Sequence, residues 1–327
     1  MQSSASSRMV NALPRPQYAQ REDNMPEHLT VGTFTPSVLL DVARRLGALA
    51  EQELTVTEIG VASSPAQFRA LLDDDLQVAL TSPDNVLSYR FSPSNPLGGR
   101  QDVQIVSAVD RGLGLALYGR PGLTDPAELR GAVVGVDVPN SGFALALYET
   151  ARVHGLPRDA LRLAALGSTP RRLTALLAGD CDATLLNAGN ELVAEDAGCA
   201  RLAAVTDVCP GYLGAVLAVA GTRRLAHTRR LARALLDTAR RITTGEADAE
   251  VTESAGRLLG LTPERSARYL DRLRDPEEGL VTDEDVPESA LATLIDLRRR
   301  HLPEQADGTD VLATALHPGA GLVAPRE

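Results

Sequence analysis

One local arrangement recurs five times in this sequence: an apolar, strand-like run, a break rich in hydroxyl groups, and then a helix. In the clearest copy, residues 76–90 (LQVALTSPDNVLSYR), the buried run 78–80 ends at Thr81 and a helix opens at Ser82-Pro83. A serine hydroxyl accepts an N–H that the first helical turn leaves unpaired, and a proline has no N–H of its own to satisfy. The other breaks are Thr35-Pro36-Ser37, Ser63-Ser64-Pro65, Pro139-Asn140-Ser141-Gly142 and Gly167-Ser168-Thr169-Pro170.

A break of this kind directs free backbone donors and the positive end of a helix dipole beyond the end of the strand. Taken alone, each break is an ordinary helix cap. Five of them after strand-like runs predict that several helix N-termini face one ligand.

Composition narrows the classes of function. The formal charge of −10 argues against nucleic acid, which requires a clustered basic surface. All 33 basic residues are arginine, so no lysine can form a Schiff base with pyridoxal phosphate or a carbonyl substrate. The three cysteines, at 181, 199 and 209, are too few and too unevenly spaced for a disulfide framework or a zinc cluster. We therefore expect no cofactor and no metal.

The chain of 327 residues can hold about two domains. Residues 1–27 are polar and read as a disordered leader without the apolar region of a secretory signal. From residue 28, strand and helix patterns alternate, which is typical of an α/β fold with mostly parallel sheets. We predict a first lobe at 28–118, a second at 119–208, a return strand and C-terminal helices of the first lobe at 209–302, and a flexible tail at 303–327.

No run is long and apolar enough to span a membrane. As written, the sequence predicts a cytoplasmic protein. An N-terminus that is truncated or miscalled would instead allow an extracytoplasmic one.

Residues 123–136 (LTDPAELRGAVVGV) and 167–183 (GSTPRRLTALLAGDCDA) resemble the type II periplasmic-binding-protein-like superfamily. Within it the chain is most similar to the group that contains sulfonate, nitrate and taurine solute-binding proteins, together with the thiamin-pyrimidine synthases and aromatic sulfinate desulfinases. The resemblance covers about residues 29–300. It implies two α/β lobes joined by two crossovers, with a ligand enclosed between them.

The resemblance also implies which residues line that cleft. From the first lobe these are Thr33, Phe34, Thr35, Ser37, Ser63, Thr81, Ser82, Asp84 and Asn85. From the second lobe they are Asn140, Ser141, Phe143, Ser168, Thr169, Asn187 and Asn190. Asp110, Arg111 and Tyr212 are expected near the crossovers.

Departures from the pattern of the group narrow the chemistry. The thiamin-pyrimidine synthases need a cofactor lysine, a sacrificial histidine and a cysteine-rich motif, and this chain has no lysine. The desulfinases carry a nucleophilic cysteine where Thr35 stands, and a histidine in the stretch that here reads VASSP (61–65). We therefore exclude both activities. Exported solute binders carry a signal that residues 1–27 lack, which weakens a plain transport role.

Several candidate site residues have both a structural and a functional interpretation. Asp84 is either a helix-capping carboxylate or a ligand contact, and the pair Asp110-Arg111 is either an acid or base beside a cation or an internal ion pair. Arg171 and Arg172 are expected to be solvated surface residues, although one of them could reach an anionic ligand. Cys209 is expected to be a buried, inert thiol. Phe34 and Phe143 either stack on a planar ligand or pack in the core.

Three functions follow. The first is binding of a small polar molecule, anionic or aromatic, with an ABC permease as partner only if the protein is exported. The second is an enzyme without metal or pyridoxal phosphate, a lyase, decarboxylase, cyclase or hydrolase of secondary metabolism, with Asp84 or Asp110 as acid or base. The third is an intracellular ligand sensor that presents its C-terminal helices to a partner.

Overall fold

The computed structural model describes residues 26–283, 285–302, 314–317 and 319–325. The strands are β1 (Glu27–Thr33), β2 (Leu54–Gly60), β3 (Val78–Thr81), β4 (Val103–Asp110), β5 (Ala116–Gly119), β6 (Val133–Val136), β7 (Arg162–Ala165), β8 (Ala183–Leu186), β9 (Ala200–Ala204) and β10 (Ala215–Ala220). The helices are α1 (Val38–Arg45), α2 (Ala48–Glu51), α3 (Ser64–Leu72), α4 (Pro83–Phe91), α5 (Gly142–Val153), α6 (Thr169–Ala178), α7 (Asn190–Asp196), α8 (Val205–Val208), α9 (Leu225–Thr244), α10 (Asp248–Leu259), α11 (Pro263–Arg274) and α12 (Glu288–His301).

The strands form two five-stranded sheets with the orders β2-β1-β3-β10-β4 and β7-β6-β8-β5-β9. β10 is the antiparallel strand of the first sheet and β5 that of the second, and the other pairings between neighbours are parallel. The prediction of two lobes, each with a mostly parallel sheet flanked by helices, is confirmed.

The chain crosses between the lobes twice, from β4 to β5 and from α8 to β10. Each antiparallel strand is the first one that the chain forms after a crossing. Because β5 pairs with β8 and β9, the second lobe begins by Ala116 and not at the predicted residue 119. Residues 113–118 (LGLALY) are apolar throughout, and nothing in them specifies the sheet to which a strand here belongs.

The C-terminal helices cover the first lobe and also reach the second. α9 and α10 share an apolar core with α1, in which Val42, Leu231 and Val251 are fully buried. α11 contacts α7, where Arg268 donates to Asp196 at 2.7 Å. α12 packs mainly against α5. The last two helices therefore connect the lobes.

The C-terminal segment 319–325 lies along the outer edge of β4. The Ile105 N–H donates to the Leu322 carbonyl, and the Ala324 N–H donates to the Ile105 carbonyl, both at 2.8 Å. Leu322 is buried, so the prediction of a flexible tail is wrong for this segment. The segment covers unpaired backbone groups of an edge strand. Residues 303–313 lie outside the described residues, as do residues 1–25 of the predicted leader, whose last residue, Glu27, begins β1.

Within the described ranges, none of the helices combines the length and apolar character needed to cross a bilayer. In the same part of the chain, no group of three or more histidine, cysteine or acidic side chains is arranged to hold a metal ion.

Candidate functional site

A cavity of about 180 Å³ lies between the two lobes, at the C-terminal ends of β1, β3, β4, β6 and β8. Thr33, Thr81 and Asp110 line it from the first lobe, and Asp137 and Asn187 line it from the second. Ligands bind at this edge in open α/β sheets because loops and helix N-termini converge there.

The five breaks singled out in the sequence all reach this cavity. Each contributes the N-cap serine of a helix: Ser37 of α1, Ser63 of α3, Ser82 of α4, Ser141 of α5 and Ser168 of α6. The structure therefore brings together residues that are spread over more than a hundred positions of the chain.

Most of these helix ends use their own serine as a cap. The hydroxyls of Ser37, Ser63, Ser82 and Ser141 accept backbone N–H groups of the first turn at 3.0 to 3.4 Å. Each of these hydroxyls satisfies one first-turn N–H, so these four helices have fewer free donors than expected. α6 differs, because the Ser168 hydroxyl makes no cap hydrogen bond. Pro170 has no N–H and the Arg172 N–H donates to the Ser168 carbonyl, which leaves the N–H groups of Thr169 and Arg171 without a partner among the described residues, the unpaired state that favours an anion.

The structure places most of the predicted site residues in the cavity wall. Those that line it are Thr33, Phe34, Thr35, Ser37, Ser63, Thr81, Ser82, Asn85, Asp110, Ser141, Phe143, Ser168, Thr169 and Asn187. Those that do not are Asp84, Arg111, Asn140, Asn190 and Tyr212.

Asp84 is occupied elsewhere. Its oxygens accept hydrogen bonds from Arg298 of α12 at 2.8 and 3.3 Å, and both side chains are almost fully buried. Gly142 of the second lobe packs directly on the Asp84 side chain, close enough that an added Cβ would lie 2.6 Å from the Asp84 Cβ. Asp84 is therefore a structural carboxylate between the lobes, and the prediction that it contacts ligand or catalyses is wrong.

The other four residues outside the wall have local reasons for their positions. Arg111 donates to the Leu280 carbonyl at 2.9 Å, and Asn190 donates to the Asn187 carbonyl at 3.0 Å at the start of α7. Asn140 is exposed. Tyr212 is fully buried behind the wall, and its hydroxyl has no hydrogen-bond partner among the described residues.

Arg172 was expected to be a solvated surface residue, and the structure shows that it is buried. It is 2% exposed and lines the cavity from α6, whereas its neighbour Arg171 is exposed. Its guanidinium donates to the Gly167 carbonyl at 2.6 Å, to the Thr169 hydroxyl at 3.0 Å and to the Leu185 carbonyl at 3.2 and 3.4 Å. These neutral acceptors fix the orientation of the group without neutralising its charge.

No carboxylate of the described residues forms an ion pair with Arg172. Burial lowers the pKa of its guanidinium, and the charge of Asp137 opposes that change. The group stays cationic because an arginine pKa lies far above neutrality. The Phe143 ring centroid lies 6.0 Å from its central carbon, within the range of a cation–π contact. The cavity therefore contains a buried positive charge beside the uncapped end of α6.

Asp110 ends β4 in the wall of the first lobe and is 7% exposed. Its Oδ1 accepts the Gly112 N–H at 2.9 Å. Burial raises the pKa of this carboxyl to about 6, and the Gly112 hydrogen bond and the charge of Arg111 limit the rise. At neutral pH the group is mostly ionised but close enough to its pKa to exchange a proton.

Other wall residues were missed from the sequence. Asp137 accepts the Ser141 hydroxyl, and its position directly after an apolar strand was an available signal. Leu113 and Ala188 line the wall with positive φ of 53° and 54°, and the Ala188 N–H donates to the Leu113 carbonyl at 3.0 Å. Non-glycine residues rarely adopt this conformation, and nothing in the local sequence indicates it. Tyr269 reaches the wall from the distant helix α11.

Comparison with solved structures finds the same architecture. The alkanesulfonate-binding protein SsuA from Xanthomonas axonopodis pv. citri, bound to MOPS, superposes with a TM-score of 0.68 at 17% identity, covering 92% of this chain and 97% of that one. The periplasmic aliphatic sulphonate binding protein SsuA from Escherichia coli gives 0.66 at 15% identity, with coverages of 88% and 91%. The periplasmic nitrate-binding protein NrtA from Synechocystis PCC 6803 gives 0.67 at 10% identity, with coverages of 88% and 84%.

This chain has a periplasmic-binding-protein-like fold. No protein-family model matches the sequence, and comparison with curated protein sequences finds no match. The similarity therefore concerns the fold alone. In this periplasmic-binding-protein-like fold, the cavity that holds Arg172 and the five N-cap serines lies between the two lobes.

Proposed function

We propose that the protein binds one small anionic molecule in the cavity between its lobes. The observation that carries this proposal is the guanidinium of Arg172, which is buried in the cavity wall with no carboxylate partner among the described residues. Burying an unpaired charge is costly, so an anion that pairs with it gains a strong, charge-assisted hydrogen bond.

Two further features support an anion at this position. The N-terminus of α6, where the Ser168 hydroxyl is free of the helix, adds a second source of positive potential beside Arg172. Sulfonate and nitrate are also the ligands named for the structurally similar proteins. Because that similarity is confined to the fold, it supports the proposal and does not identify the ligand.

The size of the cavity limits the ligand. A cavity of about 150 Å³ in another protein holds a benzene molecule. The volume of about 180 Å³ therefore suits a molecule of roughly one six-membered ring or a short chain with its acid group. Phe34 and Phe143 line the wall and offer apolar surface to such a body.

The variant Arg172→Gln tests the proposal, with Arg171→Gln as its matched control because Arg171 is the exposed neighbour on the same turn. Sulfonates, benzoates and nitrate are screened by thermal shift and the hits are measured by calorimetry. We expect Arg172→Gln to weaken binding of the hits by about tenfold to a hundredfold, as for a lost hydrogen bond to a charged group, and Arg171→Gln to leave it unchanged. Equal affinities of wild type and Arg172→Gln for every hit would refute the proposal.

Asp110 supports a second candidate, an enzyme that uses this carboxyl as an acid or base. The carboxyl lies in the cavity wall and burial brings its pKa to about 6, near the range that suits proton transfer at neutral pH. A hit incubated with wild type would then be consumed, and one incubated with Asp110→Asn would be recovered intact. Recovery of every hit from the wild type rejects the enzyme.

Cytoplasmic location stays a prediction, as does the alternative of an extracytoplasmic protein that delivers its ligand to an ABC permease. Cell fractionation with an antibody against the native protein distinguishes the two.

A further inference from the structure

The cavity contains more negative than positive charge. Of the described residues that line it, Asp110, Asp137 and Arg172 carry charged side chains. The wall therefore has two carboxylates and one guanidinium. A plain anion would satisfy Arg172 but would bring an additional negative charge into a cavity that already contains two carboxylates.

Hydrogen-bonding capacity is left over on both sides of the cavity. A guanidinium has five N–H donors, and Arg172 makes four hydrogen bonds to described residues, of which only one uses Nη1. One N–H of Nη1 is therefore unused. On the opposite lobe, Oδ1 of Asp110 accepts the Gly112 N–H, while Oδ2 accepts no hydrogen bond from a described residue.

These two opposite charges do not neutralise each other. Arg172 belongs to the second lobe and Asp110 to the first, and no ion pair joins either of them to another described residue. Arg111, the cation next to Asp110 in sequence, directs its guanidinium to the Leu280 carbonyl instead. Each buried charge feels an opposite charge nearby, Arg111 for Asp110 and Asp137 for Arg172, but neither makes a direct ion pair, which is unfavourable unless a ligand supplies one.

We propose that the ligand is a small zwitterion, with an acid group that binds Arg172 and an ammonium group that binds Asp110 across the cavity. This rests on the proposed function and narrows it from small anions to amino acids in the broad sense, carboxylic or sulfonic, with a short chain or a single ring between the two groups. Such a molecule contacts both lobes through opposite charges, so its binding favours the arrangement in which the lobes are close together.

Matched pairs of probes that differ only in the amino group test the inference. Suitable pairs are β-alanine and propionate, taurine and ethanesulfonate, and para-aminomethylbenzoate and para-methylbenzoate. Calorimetry is performed with wild type, with Asp110→Asn, and with Asp180→Asn as the control at an exposed aspartate. We expect wild type to bind the amino member of at least one pair about tenfold or more tightly than its partner. Asp110→Asn should remove that preference and Asp180→Asn should keep it.

The outcomes separate the two claims. If wild type binds both members of the best pair equally, the zwitterion is rejected and the anion-binding function stands. If Asp110→Asn keeps the preference, the ammonium binds elsewhere and the inference is rejected. If no member of any pair binds at millimolar concentration, the zwitterion is rejected, and the anion-binding function is decided by the comparison of wild type with Arg172→Gln on nitrate and the benzoates. Asparagine retains the acceptor for the Gly112 N–H, and the melting temperature of the ligand-free variant verifies that its fold is intact.

Discussion

Replacement of Arg298 by leucine would leave the Asp84 carboxylate buried without its cation. The loss of stability should be large because the pair is buried and well hydrogen-bonded. The side chains of Arg298 and Asp84 are 6% and 1% exposed and are joined by hydrogen bonds of 2.8 and 3.3 Å. Breaking a buried pair from one side costs about 3–5 kcal/mol, whereas an exposed pair contributes about 0–1 kcal/mol.

The expected shift in melting temperature follows from chain length. At about 2.1 cal/mol/K per residue, the 327 residues have an unfolding entropy of about 0.7 kcal/mol/K, so Arg298→Leu should lower the melting temperature by about 4–7 °C. Arg299→Leu, on the same helix and with a side chain 37% exposed, is the control and should change it by about 1 °C or less. Thermal unfolding followed by circular dichroism measures both.

The pH dependence gives an independent test of the same pair. Burial raises the pKa of the Asp84 carboxyl, and Arg298 opposes that rise by its charge and hydrogen bonds. Without Arg298 the folded state binds a proton more readily than the unfolded state, so stability falls as pH rises. The destabilisation should therefore be smaller at about pH 5 than at about pH 8. The double variant Asp84→Asn/Arg298→Leu should regain part of the loss at the higher pH. Equal melting temperatures of Arg298→Leu and Arg299→Leu would refute this account.

Three more perturbations have defined outcomes. Burial holds the pKa of Asp110 at about 6, so this residue destabilises the ligand-free fold as pH rises from about 4 to about 6. Asp110→Asn should therefore raise the free energy of unfolding, measured in urea, by up to about 2–3 kcal/mol at pH 8 and by little at pH 4. The absence of a gain at pH 8 would contradict this. Gly142→Ala should lower the free energy of unfolding by about 1–3 kcal/mol because the added Cβ overlaps the Asp84 side chain. Gly60→Ala, with no atom within 4 Å of the new Cβ, should change it little. Deletion of 319–325 removes the buried Leu322 and should lower the free energy of unfolding by about 1.5–3 kcal/mol through the lost burial of this one leucine. It should also speed amide exchange in β4, and unchanged exchange there would argue against the edge contact.

The parts of the structure that depend on local sequence were predictable. A serine within two residues of a proline or glycine, after an apolar run, specifies a helix start through its own hydroxyl and the residues next to it. The ends of parallel strands meet at one edge, so correct strand and helix starts also place most of the cavity wall. This explains why Ser37, Ser82, Ser141 and Ser168 lie together although no pair is close in sequence.

The features that were missed depend on distant contacts. Arg171 and Arg172 are adjacent arginines in one helical turn, and only the packing of α6 on β8 decides that the second is buried. Asp84 and Arg298 are 214 positions apart, so nothing near Asp84 indicates a partner other than a ligand. The C-terminal segment 319–325 also depends on a distant contact, because its position is set by hydrogen bonds with the edge of β4.

The two last helices set the conditions under which a molecule can enter or leave the cavity. α11 is tied to α7 by the pairs of Arg265 and Arg268 with Asp196, and α12 holds Asp84 on one lobe while Arg300 binds Glu149 on the other. Parting the lobes must therefore strain or break ion pairs that lie outside the cavity wall; the Asp84–Arg298 pair is buried, and the pairs of Asp196 are partly exposed. The rate at which a bound molecule exchanges with solvent would then respond to ionic strength and to mutations in the last third of the chain, including positions outside the cavity wall such as Arg268 and Arg300.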